Sequence, residues 1–131
     1  MTKPGGVWVA ALTPMNTDLS PDTQKFVAHC KWLLGQGANG LAVLGTTGEA
    51  NSFSTAEKRK VLDAVAESGI SGSQMLPGTG SCAIPDTVEM TKHALSHGAA
   101  GVVMLPPFYY KNVSDDGLFA AYSEAIQRVG D

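Results

Sequence analysis

Apolar residues along the chain fall into two kinds of segment. Val7 to Leu12, Gly40 to Leu44 and Gly101 to Leu105 are continuous apolar runs, and Gln74-Met75-Leu76 is a shorter, weaker one. None alternates strictly between apolar and polar residues, so each predicts a strand buried on both faces. Between the runs the apolar residues take helical spacing. Phe26, Val27, Cys30, Leu33 and Leu34 form one face, with Ser20 as the expected N-cap and Pro21 at the first helical position. Ser54-Thr55-Ala56-Glu57 has the form of a capping box, followed by the stripe Val61, Leu62 and Val65. A third helix is expected from about Pro85 to His97, stopped by Gly98. A fourth follows Ser114-Asp115-Asp116, with Leu118, Phe119, Tyr122, Ile126 and Val129 on its apolar face. Gln36 to Leu44 resembles His97 to Leu105: in both, a glycine ends a helix and a short link opens a strand. Strand–helix units of roughly 30 residues imply a parallel α/β sheet with right-handed crossovers. No linker, low-complexity stretch or second domain is visible.

Composition narrows the class. The chain has 131 residues, of which 44% are hydrophobic and 16% charged, an ordinary globular balance. Nine Lys+Arg against twelve Asp+Glu give a formal charge of −3. That acidity and the scatter of the basic residues argue against nucleic-acid or membrane-surface binding. Cys30 and Cys82 make no disulfide framework and predict small buried or half-buried thiols in a reducing compartment. The first apolar run is too short for a signal h-region or a membrane span, so a soluble cytoplasmic protein is expected.

Polar and special residues gather after each predicted strand: Thr13-Pro14, then Gly45-Thr46-Thr47-Gly48-Glu49, then Gly78-Thr79-Gly80-Ser81, then Pro106-Pro107-Phe108-Tyr109-Tyr110. In parallel α/β folds the carboxyl ends of the strands form the ligand face. The hydroxyls and backbone N–H groups of Gly45 to Glu49 suit a carboxylate or phosphate. The same residues also suit a tight turn whose Thr side chains bond the local backbone. Gly78 to Ala83 matches a G-x-G-x-x-A dinucleotide fingerprint weakly, because the next helix starts late and no acid follows the next strand. Tyr109 or Tyr110 fits a proton donor or acceptor at the ligand face, or packing against a neighbouring loop or subunit. His93 and His97, four apart on a helix, form a possible metal pair, but no third ligand has sensible spacing. Asp115 and Asp116 read as first-turn helix acids. No metal and no cofactor is expected.

Taken together, Thr13-Pro14, Gly45-Thr46-Thr47-Gly48-Glu49, Gly78-Thr79-Gly80 and Pro107-Phe108-Tyr109-Tyr110 resemble the dihydrodipicolinate synthase/N-acetylneuraminate lyase family of pyruvate-dependent class I aldolases. The resemblance runs over essentially the whole chain. It implies a (β/α)8 TIM barrel, of which residues 1–131 supply the first four β/α units as an N-terminal half-domain. It implies a homotetramer of tight dimers. It also implies a Schiff base between a lysine and a 2-oxo acid such as pyruvate, followed by carbon–carbon bond formation or cleavage to an aldehyde. By the same resemblance Thr46 and Thr47 bind the 2-oxo acid carboxylate. Thr46 joins a hydroxyl proton relay, and Tyr109 completes that relay in a neighbouring subunit, with Tyr110 one position away as the alternative.

Two departures from the family pattern stand out. The Pro107-Phe108-Tyr109-Tyr110 spelling is closer to other lyases of the family than to its synthases. The Schiff-base lysine of the family's sixth strand has no counterpart, nor does a tyrosine of its fifth. Lys25, Lys31, Lys58, Lys60 and Lys92 fall on helices, Lys3 in the N-terminal tail, and Lys111 in a loop expected to be solvated. The expectation is half of a lyase of roughly 300 residues, inactive as this chain alone. The other readings are a non-catalytic half-barrel that pairs through its open edges and, behind it, a dinucleotide-binding module.

Overall fold

A computed structural model describes residues 4–130. Its elements are β1 (Trp8–Ala10), α1 (Thr23–Gly35), β2 (Gly40–Ala42), α2 (Thr55–Glu67), α3 (Ile84–Ser96) and α4 (Asp115–Val129), with single 3-10 turns at Ala50–Ser52 and Gly72–Gln74. β1 and β2 run parallel, pairing Trp8 with Gly40, Val9 with Leu41 and Ala10 with Ala42. The third and fourth apolar runs lie in the expected places but are too irregular to form strands. They join the sheet through parallel bridges between Leu41 and Met75 and between Gly78 and Val103. Leu76 N–H donates to Leu41 C=O (2.8 Å) and Gly78 N–H to Val43 C=O (2.7 Å), while Thr79 N–H donates the other way, to Val103 C=O (3.0 Å). Pro77 sits between them, on the side that faces the fourth run, and has no N–H to give. The ladder is therefore broken at that residue, although Pro77 C=O still accepts from Val103 N–H (2.8 Å).

Helix boundaries follow local chemistry. The cap of α1 is Asp22, not Ser20: its carboxylate accepts from Lys25 N–H (3.0 Å). Pro21 is occupied elsewhere, in an antiparallel bridge to Met15 that closes the Asn16–Ser20 turn. The capping box of α2 is complete, with Ser54 Oγ accepting from Glu57 N–H (3.3 Å) and Glu57 Oε2 from Ser54 N–H (2.8 Å). α3 ends at Ser96, with Gly98 at φ +75°, the left-handed conformation in which glycine costs least.

The core lies between the sheet and its helices. Phe26 and Cys30 of α1, Val61 and Val65 of α2, and Met90 and Ala94 of α3 close over Ala11, Leu41, Val43 and Met75. Burying a residue such as Phe26 completely is worth about 1.5–3 kcal/mol. The other face of the sheet is uncovered, contrary to the expectation of strands buried on both sides. Ala11 and Thr13 are buried while Leu12 between them is 57% exposed, and Val103 and Leu105 are also exposed. Burial thus alternates from Ala10 to Thr13 although the sequence does not, whereas Leu41, Val43 and Leu44 of the second run are all buried. α4 departs likewise: Phe119 and Ile126 of its expected apolar face are exposed, and Ala125 is its buried contact. Among the helices its main contact is with α3.

Burial pushes the Cys30 thiol up to about 12, whereas Cys82 is exposed. Alkylation of the native protein near pH 8, read by peptide mapping, will mark Cys82 and spare Cys30 until denaturant is added.

Candidate active site

The segments that follow the strand positions converge at one end of the sheet. The first is the turn Gly45 to Glu49. It is entered through Leu44 (φ 55°) and left through Glu49 (φ 50°), both in the left-handed region. Such residues cost of order 1–3 kcal/mol each and persist only where their surroundings hold them. Leu44 is buried in the core, and Glu49 N–H donates to Thr46 C=O (3.1 Å). A latch from the first strand segment completes the hold: buried Thr13 Oγ1 donates to Gly48 C=O at 2.8 Å. Thr13 therefore acts on the scaffold of the turn.

The turn presents Thr46 and Thr47 to solvent, and neither hydroxyl makes a hydrogen bond within the described residues. This sets aside the alternative in which the Thr side chains serve the turn itself. Thr46 lines a hollow of about 440 Å³, part of it open to solvent, bordered by Gly45, Asn51, Gly78, Gly80 and Leu105. Thr47 and Tyr109 lie outside that lining.

Gly78 and Gly80 have a packing role. A Cβ on Gly78 would strike the Leu44 carbonyl, and one on Gly80 would strike the Leu105 backbone. Buried Thr79 between them accepts from Thr91 Oγ1 of α3 (2.9 Å). Ser81 N–H donates to Thr87 Oγ1 (2.9 Å) and so is not free for a phosphate. The G-x-G pattern thus reflects close approach of neighbouring backbones, and the dinucleotide reading loses its motif.

Tyr109 and Tyr110 follow the fourth strand segment, 75% and 73% exposed, with their rings edge to face at 5.3 Å. No hydrogen bond joins either to Thr46 or Thr47 among the described residues. Lys111 donates to Phe108 C=O (2.5 Å), and none of the lysines among the described residues is buried. No nucleophilic amine therefore meets the hollow from the described part of the chain.

One grouping was missed in the sequence. His93 and His97 do have a third partner: Asp63 of α2, whose Oδ1 lies 2.8 Å from Nε2 of both rings. Burial raises the Asp63 carboxyl, but the hydrogen bond from His97 and the neighbouring imidazoles outweigh that and leave it lowered. The signal was the i, i+4 stripe on two consecutive helices, Arg59 and Asp63 against Glu89, His93 and His97.

Comparison with known proteins places this geometry. The model of the dihydrodipicolinate synthetase family matches residues 3–131. A 4-hydroxy-tetrahydrodipicolinate synthase of Agrobacterium fabrum is 32% identical over 120 residues, 92% of this chain and 40% of that protein. The crystal structure of dihydrodipicolinate synthase from Agrobacterium tumefaciens superposes with a TM-score of 0.92 at 35% identity, over 96% of this chain and 44% of that one. YagE, a prophage protein of the same family from E. coli K12 solved in complex with pyruvate, gives a TM-score of 0.86 at 27% identity, over 95% of this chain and 41% of its own. The chain spans about two fifths of the length of the curated relatives it matches. These similarities support neither the assembly-unit reading nor the dinucleotide reading. Among the described residues no helix is long and apolar enough to cross a membrane.

Replacing Thr13 with Val keeps its shape and strands the Gly48 carbonyl. Urea denaturation is expected to show a loss of about 1–3 kcal/mol. Thr46→Val, at an exposed hydroxyl without partners, is expected to change stability by less than about 0.5 kcal/mol.

Proposed function

Because the chain belongs to the dihydrodipicolinate synthetase family, we propose that it forms the N-terminal half of a TIM-barrel lyase. Its first four β/α units would carry the 2-oxo acid site of a class I aldolase. The observation that carries this proposal is the Thr46 hydroxyl, unengaged within the chain and lining the hollow at the strand ends. A free hydroxyl beside backbone N–H groups, on a turn held rigid from behind, is suited to a small carboxylate.

Thr46 and Thr47 bind the carboxylate of pyruvate or a related 2-oxo acid and fix its carbonyl for attack. The attacking amine is a lysine outside these 131 residues. Its nitrogen adds to the keto carbon, and loss of water leaves the imine. The imine withdraws electrons from the adjacent carbon, so that a carbon–carbon bond to an aldehyde can form or break there. Addition, dehydration and bond cleavage each require a proton to be moved. Thr46 and Tyr109 supply hydroxyls for that transfer and place no permanent charge beside the amine. In a homotetramer of tight dimers Tyr109 reaches the site of a neighbouring subunit, a role that suits a ring so exposed in its own chain. The protein is cytoplasmic in this reading, and the aldehyde is selected by residues beyond this half of the barrel.

The test is intact-mass spectrometry of the complete protein with pyruvate and borohydride. A shift by one reduced pyruvate per chain is expected, and no adduct with pyruvate or any related 2-oxo acid would overturn the proposal. In the same protein Tyr109→Phe is expected to lower kcat by about 10²–10⁴-fold, with Tyr110→Phe near wild type. Thr47→Val is expected to act mainly on the KM for the 2-oxo acid.

A further inference from the structure

On the outer surface, α2 and α3 are joined by a polar ladder. Arg59 pairs with Glu89 at 2.8 Å. One turn further along, Asp63 Oδ1 lies 2.8 Å from Nε2 of both His93 and His97. The His97 contact has the geometry of a hydrogen bond. The His93 contact does not, and its Nε2 is fully buried with no hydrogen-bond partner. Asp63 Oδ1 is thus shared between two ring nitrogens and meets only one of them in hydrogen-bond geometry, which leaves the buried His93 Nε2 poorly satisfied by the protein alone. One ligand atom from each of the three side chains lies within 4.8 Å of the others.

We propose that Asp63, His93 and His97 form a binding site for a divalent transition-metal cation of the zinc type, stapling α2 to α3. Two imidazoles and a carboxylate are a borderline N/O donor set of the kind zinc takes, with water filling the fourth tetrahedral position. The Asp63 side chain is 41% exposed, so water can reach that position. Zinc bonds of about 2.0–2.1 Å put tetrahedral ligand atoms about 3.3 Å apart. The 2.8 Å spacings seen here open to that by small side-chain adjustments. The i, i+4 histidines project from a single helical face, so two of the three ligands are already aligned by α3. Arg59, one turn away on α2, is paired with Glu89, which weakens its opposition to a further positive charge.

The site is remote from the proposed chemistry. Each helix of a βα unit runs back against its strand, so its C-terminal end lies away from the strands' carboxyl ends. His97 caps the C-terminus of α3. The role is therefore structural and independent of the Schiff-base proposal.

The experiment is a zinc titration of the complete, chelator-stripped protein against a chromogenic competitor, with cobalt as the spectroscopic probe. Wild type is expected to bind one zinc at this site and to give tetrahedral cobalt absorption. Its melting temperature should rise with zinc, while pyruvate adduct formation is unchanged by chelator. Asp63→Asn and His97→Gln, both at partly exposed positions, are expected to weaken zinc at least tenfold and remove the melting shift. If His93→Ala unfolds the protein, these two variants still decide. Equal zinc affinity in wild type and both variants, or no zinc-dependent melting shift, would overturn the proposal and leave a proton-bridged helix contact.

Discussion

A parallel strand has two faces, and both must leave water. Everything in this chain follows from having solved that problem on one side only. α1, α2 and α3 close over Ala11, Leu41, Val43 and Met75. On the opposite face Leu12, Val103 and Leu105 remain in contact with solvent. Those side chains are as apolar as the buried ones. They suit the interior of a closed barrel, in which layers of branched residues fill the centre. The chain covers about two fifths of the curated relatives it matches.

The same constraint shapes the ligand end. Packed strands can be brought close only where side chains are absent, and Gly78 and Gly80 provide that closeness against Leu44 and Leu105. The chain leaving β2 then has to bend sharply, and it does so through left-handed Leu44 and Glu49. Buried contacts hold the bend, chiefly the Leu44 side chain and the Thr13 latch on Gly48. Strain of this kind tends to be kept where it positions something. What it positions is Thr46 at the rim of the hollow.

Much of this was legible in the sequence because it is local. The capping box Ser54–Glu57, the glycine stop at Gly98 and the apolar stripes of α1 and α2 depend on neighbours a few residues away. What was not legible depends on the third dimension. Pro77 breaks the ladder only because its missing N–H faces the fourth run. Ser20 has the composition of a cap, but Pro21 is held in a bridge to Met15 and the helix begins at Asp22 instead. Phe119 and Ile126 have helical spacing and still stay exposed, since spacing defines a stripe and not the partner that covers it. For the site, the clustering of Thr46 and Thr47 on one turn followed from adjacency. The role of Thr13 did not, because its partner is 35 residues away.

The Asp63–His93–His97 contact illustrates the limit most sharply. A spacing argument can pair His93 with His97, since one helix carries both. It cannot supply Asp63, which lies 30 residues earlier on a different helix. The βα repeat does supply it in principle: consecutive units place α2 beside α3 in parallel, so polar positions recurring every four residues on each helix come into register. Arg59 and Glu89 fix that register one turn away. Repetition in the fold therefore makes a long-range contact predictable once the order of the units is known. The fold thus separates two regions: its strand ends carry unengaged hydroxyls, and its outer helices carry charges that tie neighbouring units together.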